Sequence, residues 1–508
     1  MTPTATLRWF AAHEIRLASR EWLAMMAAGR RWRGRNMAIV LVAFVALMHL
    51  PAYAVVGRFA GIRAPLDKTT LIVVTTSIFL AWALMLSQAI ESVTRVFYAR
   101  ADLDLIISSP VGLSTVFSVR LAAIACTVTV MAALLATPFV DVLLIGGGRR
   151  WLAVYGVVIA VGLSATAVAI AVSVALFRSF GPSRTRLVAQ ILAAITGAGF
   201  VIGLQIAAIL SFGTLSRFTL LTSDAAASFA PDAGSFIWLP GLAIVGDGKA
   251  LGWLLGGSLI LLGLTIVIFS PRFGDYVAGA AAKVASKNGG ARVRSFRGAS
   301  RRKTLRMKEF WLLRRDPWLV SQTLMQLLYL LPPALMLWRS FADRSAAIVL
   351  ISPVIVMAAG QLAGGLAWLA ISGEDAPDLV VTAPLPTFSV ISAKIEVVLI
   401  IIGVVFAPLI IPLAFASPML AGITAVATML AAISATAIQL WFRVQARRSQ
   451  FRRRQTSSRL ATFAEAFASI GWAATAALAL VVPVLAIMTG FMTACMLAAT
   501  WKISPDRA

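Results

Sequence analysis

The feature that most constrains this chain is a succession of apolar runs, each long enough to cross a bilayer. A helical span needs about 20 predominantly apolar residues. In the first half such runs lie at 37–56, 69–90, 115–140, 151–177, 187–212 and 251–270. In the second half they lie at 319–338, 346–371, 389–414, 419–442 and 460–501. The last run is long enough for two spans joined by a tight turn near Pro483, which makes the expected count about twelve, six in each half. Composition agrees: 60% of the 508 residues are hydrophobic and 13% are charged, against roughly 25% charged in a soluble domain. A water-soluble enzyme and a disordered chain are both excluded, and an all-α polytopic membrane protein is expected. The Ala52-Tyr53-Ala54 sequence looks like a signal cleavage site. The segment before its apolar stretch runs to 36 residues, too long for an ordinary signal n-region, so an uncleaved first span is expected.

Charge sets the expected orientation. The 45 Lys+Arg against 20 Asp+Glu give a net charge of +25. No basic run is interleaved with aromatics on a soluble fold, so the excess reads as the positive-inside bias and contact with anionic lipid, not as nucleic-acid binding. With the N-terminus inside and loops alternating, inside segments hold 36 of the 45 basic residues and outside segments the other 9. Both termini are therefore expected in the cytoplasm, the chain being a multi-pass protein of the cell (inner or plasma) membrane. Cys126 and Cys495 lie inside apolar runs, and the only histidines are His13 and His49. A disulfide framework and a Cys- or His-built metal site are not expected.

The chain also repeats itself. Asp104-Leu-Ile-Ile-Ser-Ser-Pro110 matches Asp378-Leu-Val-Val-Thr-Ala-Pro384 at an offset of 274, and the match runs without a gap to Arg120 and Lys394. Asp104/Asp378, Leu105/Leu379, Pro110/Pro384, Val116/Val390 and Ser118/Ser392 are identical. A second match, 13–22 with 308–317, has an offset of 295 and precedes the first span of each half. Six spans per copy is an even number, so both copies enter from one side and the repeat is parallel. The expected organisation is a first repeat at 1–270, a basic flexible cytoplasmic linker at 271–304 containing Gly289-Gly290, and a second repeat at 305–508.

Two motifs recur with the repeat. Between residues 7 and 26, Leu7, Ala11, Ile15, Ala18, Trp22 and Met25 form one helical stripe, beside another of Arg8, Ala12, Arg16 and Arg20. This predicts an amphipathic helix in the headgroup plane. The simpler alternative is a cytoplasmic tail with snorkelling arginines, but the motif occurs twice. The loops around Asp102, Asp104, Asp375 and Asp378 are short and open on acids that can cap short helices, and Pro110 and Pro384 can turn the chain back to the membrane. Packing alone does not call for a duplicated pattern, so a docking surface for a cytoplasmic partner is expected there. Within the spans, Glu91, Asp141, Glu396 and Glu465 are expected to reach the interface, and glutamines such as Gln88, Gln190, Gln361 and Gln439 to join helices. Gly199/Gly203, Gly252/Gly256 and Gly360/Gly364 have the spacing of close helix contacts. A phosphate-cradling loop is missing: Gly246-Asp247-Gly248-Lys249-Ala250 lacks the first glycine and the hydroxyl.

With its paired amphipathic segments and its Asp-Leu-x-x-Ser/Thr-x-Pro loops after the second span, the chain resembles the permease subunits of ABC transporters of the ABC-2 (exporter) type, as two half-size permeases fused. The resemblance implies a transport subunit that is not itself an enzyme, working by alternating access with a separate cytoplasmic ATP-binding subunit in two copies. This chain would hold no cofactor; ATP and Mg would sit on the partner. The resemblance implies that Asp102, Asp104, Pro110, Asp375, Asp378 and Pro384 fall at coupling loops that dock the ATPase. It puts Glu14, Arg16, Arg20, Glu309, Arg314 and Arg315 on elbow helices against membrane lipid. The extra outside segment at 211–249 has no counterpart in the second half. The alternatives are a major-facilitator-like secondary transporter, whose Gly-x-x-x-Asp-Arg-x-Gly-Arg pattern 95–110 does not fit, and a polytopic lipid-modifying enzyme, which scattered acids and two histidines disfavour.

Overall fold

The computed structural model describes residues 8–17, 19–20, 52–61, 66–98, 112–213, 216–232, 234–286, 300–315, 347–372, 382–442, 459–479 and 481–502, with isolated positions between them. The described residues contain no strand. Among them, nine helices are long and apolar enough to cross a membrane, an all-α polytopic architecture. Half of the expected span at 37–56 and most of that at 319–338 fall outside the described residues. The chain divides into two compact units, Met1–Ala291 and Arg292–Ala508.

In the first unit the long helices are α1 (Lys68–Tyr98), α2 (Leu113–Gly147), α3 (Ala153–Phe212) and α4 (Gly248–Ser286). Helix α1 opens on Asp67, whose carboxylate accepts the Thr70 backbone N–H at 3.0 Å and the Thr70 hydroxyl. These bonds, the hydroxyl's first, hold the Asp67 carboxyl below the ordinary aspartate value of 3.8. A depressed carboxyl stabilises the fold above its unfolded pKa, and that contribution is lost as pH falls through the folded one. Asp67→Ala is therefore expected to cost about 0.5–2 kcal/mol at neutral pH, the usual worth of an N-cap. The gap from wild type should close as the pH drops below 3.8, as followed by thermal unfolding in detergent.

Helix α3 joins two expected spans, and one residue breaks it. Gly181 sits at φ 66°, ψ 170°, a region open essentially to glycine alone, with Pro182 following. The buried Thr185 hydroxyl lies within donating distance of the carbonyls of Leu176 (3.0 Å) and Gly181 (2.8 Å), and so bridges the two sides of the break. The core joins Ile90 and Val93 of α1, Phe117 and Leu121 of α2, and Ala165 and Ile170 of α3. Between α3 and α4 the short helices Arg217–Leu221, Asp224–Phe229 and Leu239–Ile244 fold into a cap. Leu221 and Trp238 of this cap pack on Leu71 and Ile72 at the start of α1. Helix α4 runs on through Pro271 to Ser286, where a flexible connector is expected from residue 271. Proline is tolerated in apolar helices, and five of the fifteen residues that follow it are alanine.

The second unit contains α5 (Arg301–Arg315), α6 (Ala347–Ser372), α7 (Thr387–Ala416), α8 (Pro418–Trp441), α9 (Arg459–Leu478) and α10 (Pro483–Lys502). The apolar run at 460–501 is two helices, divided at 479–482 just before Pro483, as its length and that proline suggest. Helix α6 is the central one: Leu362, Leu366 and Leu369 are almost wholly buried with Val398, Ile402 and Phe406 of α7 and Ala432 and Ala435 of α8.

Candidate functional site

The site builds from the two short helices that precede the apolar bundles. In the first, at 8–17, Glu14 is buried, Phe10 and Leu17 are half-buried, and Arg8, Trp9, Ala12, Ile15 and Arg16 are exposed. Ile15 and the arginine stripe thus lie on the free side, where an interfacial helix would meet lipid, and Arg20 is exposed as well. In the second, Glu309 and Leu313 are buried, whereas Met307, Phe310, Trp311 and Arg314 are exposed. The Arg314 guanidinium lies 5.4 Å from the Trp311 ring centre, an arrangement suited to a membrane–water boundary. Arg315 ends α5.

The buried acids decide what holds these helices. Glu14 Oε1 accepts from Arg120 Nε at 3.1 Å, with side-chain exposures of 8% and 3%. Glu309 Oε2 accepts from Lys394 Nζ at 3.0 Å, with exposures of 1% and 13%. Arg120 is in α2 and Lys394 in α7, each seven residues past the helix's first residue, Leu113 or Thr387. Those first residues are 274 apart, the offset of the loop match, and Glu14 and Glu309 are 295 apart, the offset of the other match. One acid–base contact therefore recurs at matched positions in the two units. Burying either charge alone would cost several kcal/mol, so each pair fixes its short helix against one point on the following bundle.

The second unit adds to this contact. Lys394 Nζ also donates to the Ala370 carbonyl at 2.5 Å, and Lys308 Nζ lies 3.3 Å from Glu309 Oε1. Arg301 Nη2 donates to the Pro384 carbonyl at 2.7 Å, and Arg302 and Arg306 both pair with Glu396. Carried beyond the matched stretches, the same offsets put Leu7, Ala11 and Ala122 of the first repeat at the places of Arg302, Arg306 and Glu396, none of them charged. The first unit instead ties the start of α2 to α4: Ser270 Oγ donates to the Ser114 carbonyl at 2.5 Å and lies 2.9 Å from Ser118 Oγ.

Of the expected docking residues, Pro384 is in direct contact with α5 through Arg301. Asp102, Asp104, Pro110, Asp375 and Asp378 lie outside the described residues. Arg120 and Lys394 were not singled out by the sequence. The signal was present, because each motif match keeps its charged member, the acid identical and the base as Arg or Lys.

Elsewhere, Gln439 of α8 donates to Glu465 of α9, and both are buried. Gln439 joins helices as expected. Glu465 is not the exposed side chain expected near a span end: it lies six residues past Arg459, the first residue of α9, and is buried against Gln439 of the neighbouring helix. Gln88 and Gln361 are exposed among the described residues. Near the end of α2, Asp141 Oδ2 lies 3.4 Å from His49 Nε2. The described residues hold no group of three or more His, Cys, Asp or Glu that could bind a metal. No protein-family model, curated protein or solved structure matches the chain.

Proposed function

We propose that the chain is the membrane-spanning permease subunit of an ATP-driven exporter of the ABC-2 type. It consists of two six-span repeats related by a rotation about the membrane normal, with both termini in the cytoplasm of the cell membrane. A separate ATP-binding subunit, in two copies, supplies the energy and carries ATP and Mg. Closure of that pair pushes on the loops at Asp102–Pro110 and Asp375–Pro384, and the two halves rock to expose a path between them. The observation that most supports this reading is the recurrence, at matched offsets, of a short helix held by a buried acid against the helix that follows each loop. A push on either loop would then have a defined route into its half.

The acids of the loops are the docking residues in this reading. Asp104→Asn together with Asp378→Asn is expected to reduce co-purification of the ATP-binding subunit at least several-fold, while the chain still inserts in the membrane. Unchanged co-purification in the double variant would remove these acids from the docking role.

A further inference from the structure

We infer that Glu14–Arg120 and Glu309–Lys394 are two copies of one mechanical joint, with Arg120 and Lys394 as its positioning residues. Each joint makes a short helix and the start of the following bundle helix move as a single body. The coupling part of this inference rests on the function proposed above; the mechanical part does not.

Three observations carry it. First, acid and base belong to two separate sequence matches, offset by 295 and 274, yet they meet in space in both units. The 21-residue difference is extra chain between the two motifs in the first repeat, and the contact survives it. Second, both acids and Arg120 are buried and Lys394 is only 13% exposed, in surroundings where apolar residues of similar volume would hold two helices at least as firmly. A charged pair adds direction: it is satisfied in one register of the short helix against its neighbour, and slipping or rotating that helix would leave an uncompensated charge. Third, each base is seven residues past the start of its helix. At 1.5 Å per residue this puts the joint roughly 10 Å along the helix from the loop, close enough for the intervening two turns to act as a stiff lever.

The copies are unequal in a way that predicts behaviour. Lys394 has a second anchor on the Ala370 carbonyl, and Arg301, Arg302 and Arg306 bind α5 to Pro384 and Glu396. The first joint has no matching charges at Leu7, Ala11 and Ala122. The second joint is therefore the stiffer, and the first yields more when its pair is broken.

The test uses the full chain in lipid nanodiscs, with Cys126 and Cys495 replaced by alanine. Spin labels go on exposed positions either side of each joint: A12C with S114C, and M307C with F388C. Arg120→Gln is expected to broaden the first distance distribution at least twofold, and Lys394→Gln the second by less. Exchanging the bases, Arg120→Lys and Lys394→Arg, should leave both narrow, and the reversal Glu14→Arg with Arg120→Glu should restore the first. The exchange and reversal variants keep both charges, so they give a reading even if Arg120→Gln fails to fold. Equal widths in Arg120→Gln and wild type, or broadening in the base exchanges, would overturn the joint. These distances are read without an ATPase, so failure of the joint and failure of the transport reading are distinguishable. Where the ATP-binding subunit is bound, Arg120→Gln should keep ATP hydrolysis but lose at least half of the ATP-dependent distance change at the first pair of labels. An unaltered change would overturn the lever.

Discussion

Arg120→Met is expected to lower the stability of the chain in detergent or nanodiscs by roughly 3–5 kcal/mol, the usual cost of leaving a buried charge without its partner. Arg120 and Glu14 are 3% and 8% exposed at the side chain, so water can do little to rescue the orphaned carboxylate. The double replacement Glu14→Leu with Arg120→Met should recover most of that loss, because an apolar pair of similar volume is often neutral or stabilising. A double-mutant cycle by thermal unfolding measures this directly. If both single variants unfold like wild type, the pair is not buried as described. If the double variant is as unstable as Arg120→Met, side-chain packing and not charge holds the short helix.

The second large effect lies in the core of the second unit. A side chain at Gly360 would run into Ser469 of α9, with Ala431 Cβ of α8 3.5 Å away. Neither neighbour can give way cheaply, since Ser469 and Ala431 are both buried. Gly360→Leu should therefore push α6 off α9, at a cost of about 3 kcal/mol or more, the upper part of the range for overpacked cores. Gly203→Leu and Gly252→Leu should be nearly silent, within about 0.5 kcal/mol, because nothing lies within 4 Å of the added carbon at either site. Unfolding midpoints that fall equally for all three would contradict the packing of α6 against α8 and α9.

The same glycines show where sequence reading succeeds and where it stops. Gly252/Gly256 and Gly360/Gly364 have identical spacing, yet Gly360 is crowded and Gly252 and Gly256 are open. Spacing places residues on one helix face but is silent about what stands opposite. The contacts at Gly162 with Thr129 and at Gly471 with Thr493 carry no such spacing at all. By contrast, the apolar runs were legible because a span has to be apolar along its whole length, whatever its neighbours. Helices α1, α2, α7 and α8 begin within a few residues of the expected positions.

The acids follow the same division. Glu465 sits near the end of an apolar run, which suggests an interfacial side chain, but α8 places Gln439 beside it and buries it. Glu14 stands next to the arginine stripe of an amphipathic segment, and periodicity alone would leave it on the solvated side. Its burial comes from a partner 106 residues away. Only the duplication could have hinted at that, by keeping the acid in one motif and a base in the other. The docking acids at Asp102, Asp104, Asp375 and Asp378 are a reading of the sequence and of its resemblance, and they call for a direct test.

That test is native mass spectrometry of the tagged chain purified from its own membranes under gentle crosslinking. The account predicts a complex of one chain with two copies of an ATP-binding subunit, reduced when Asp104 and Asp378 are replaced together. An intact, folded chain that leaves the membrane without any ATP-binding partner would contradict it.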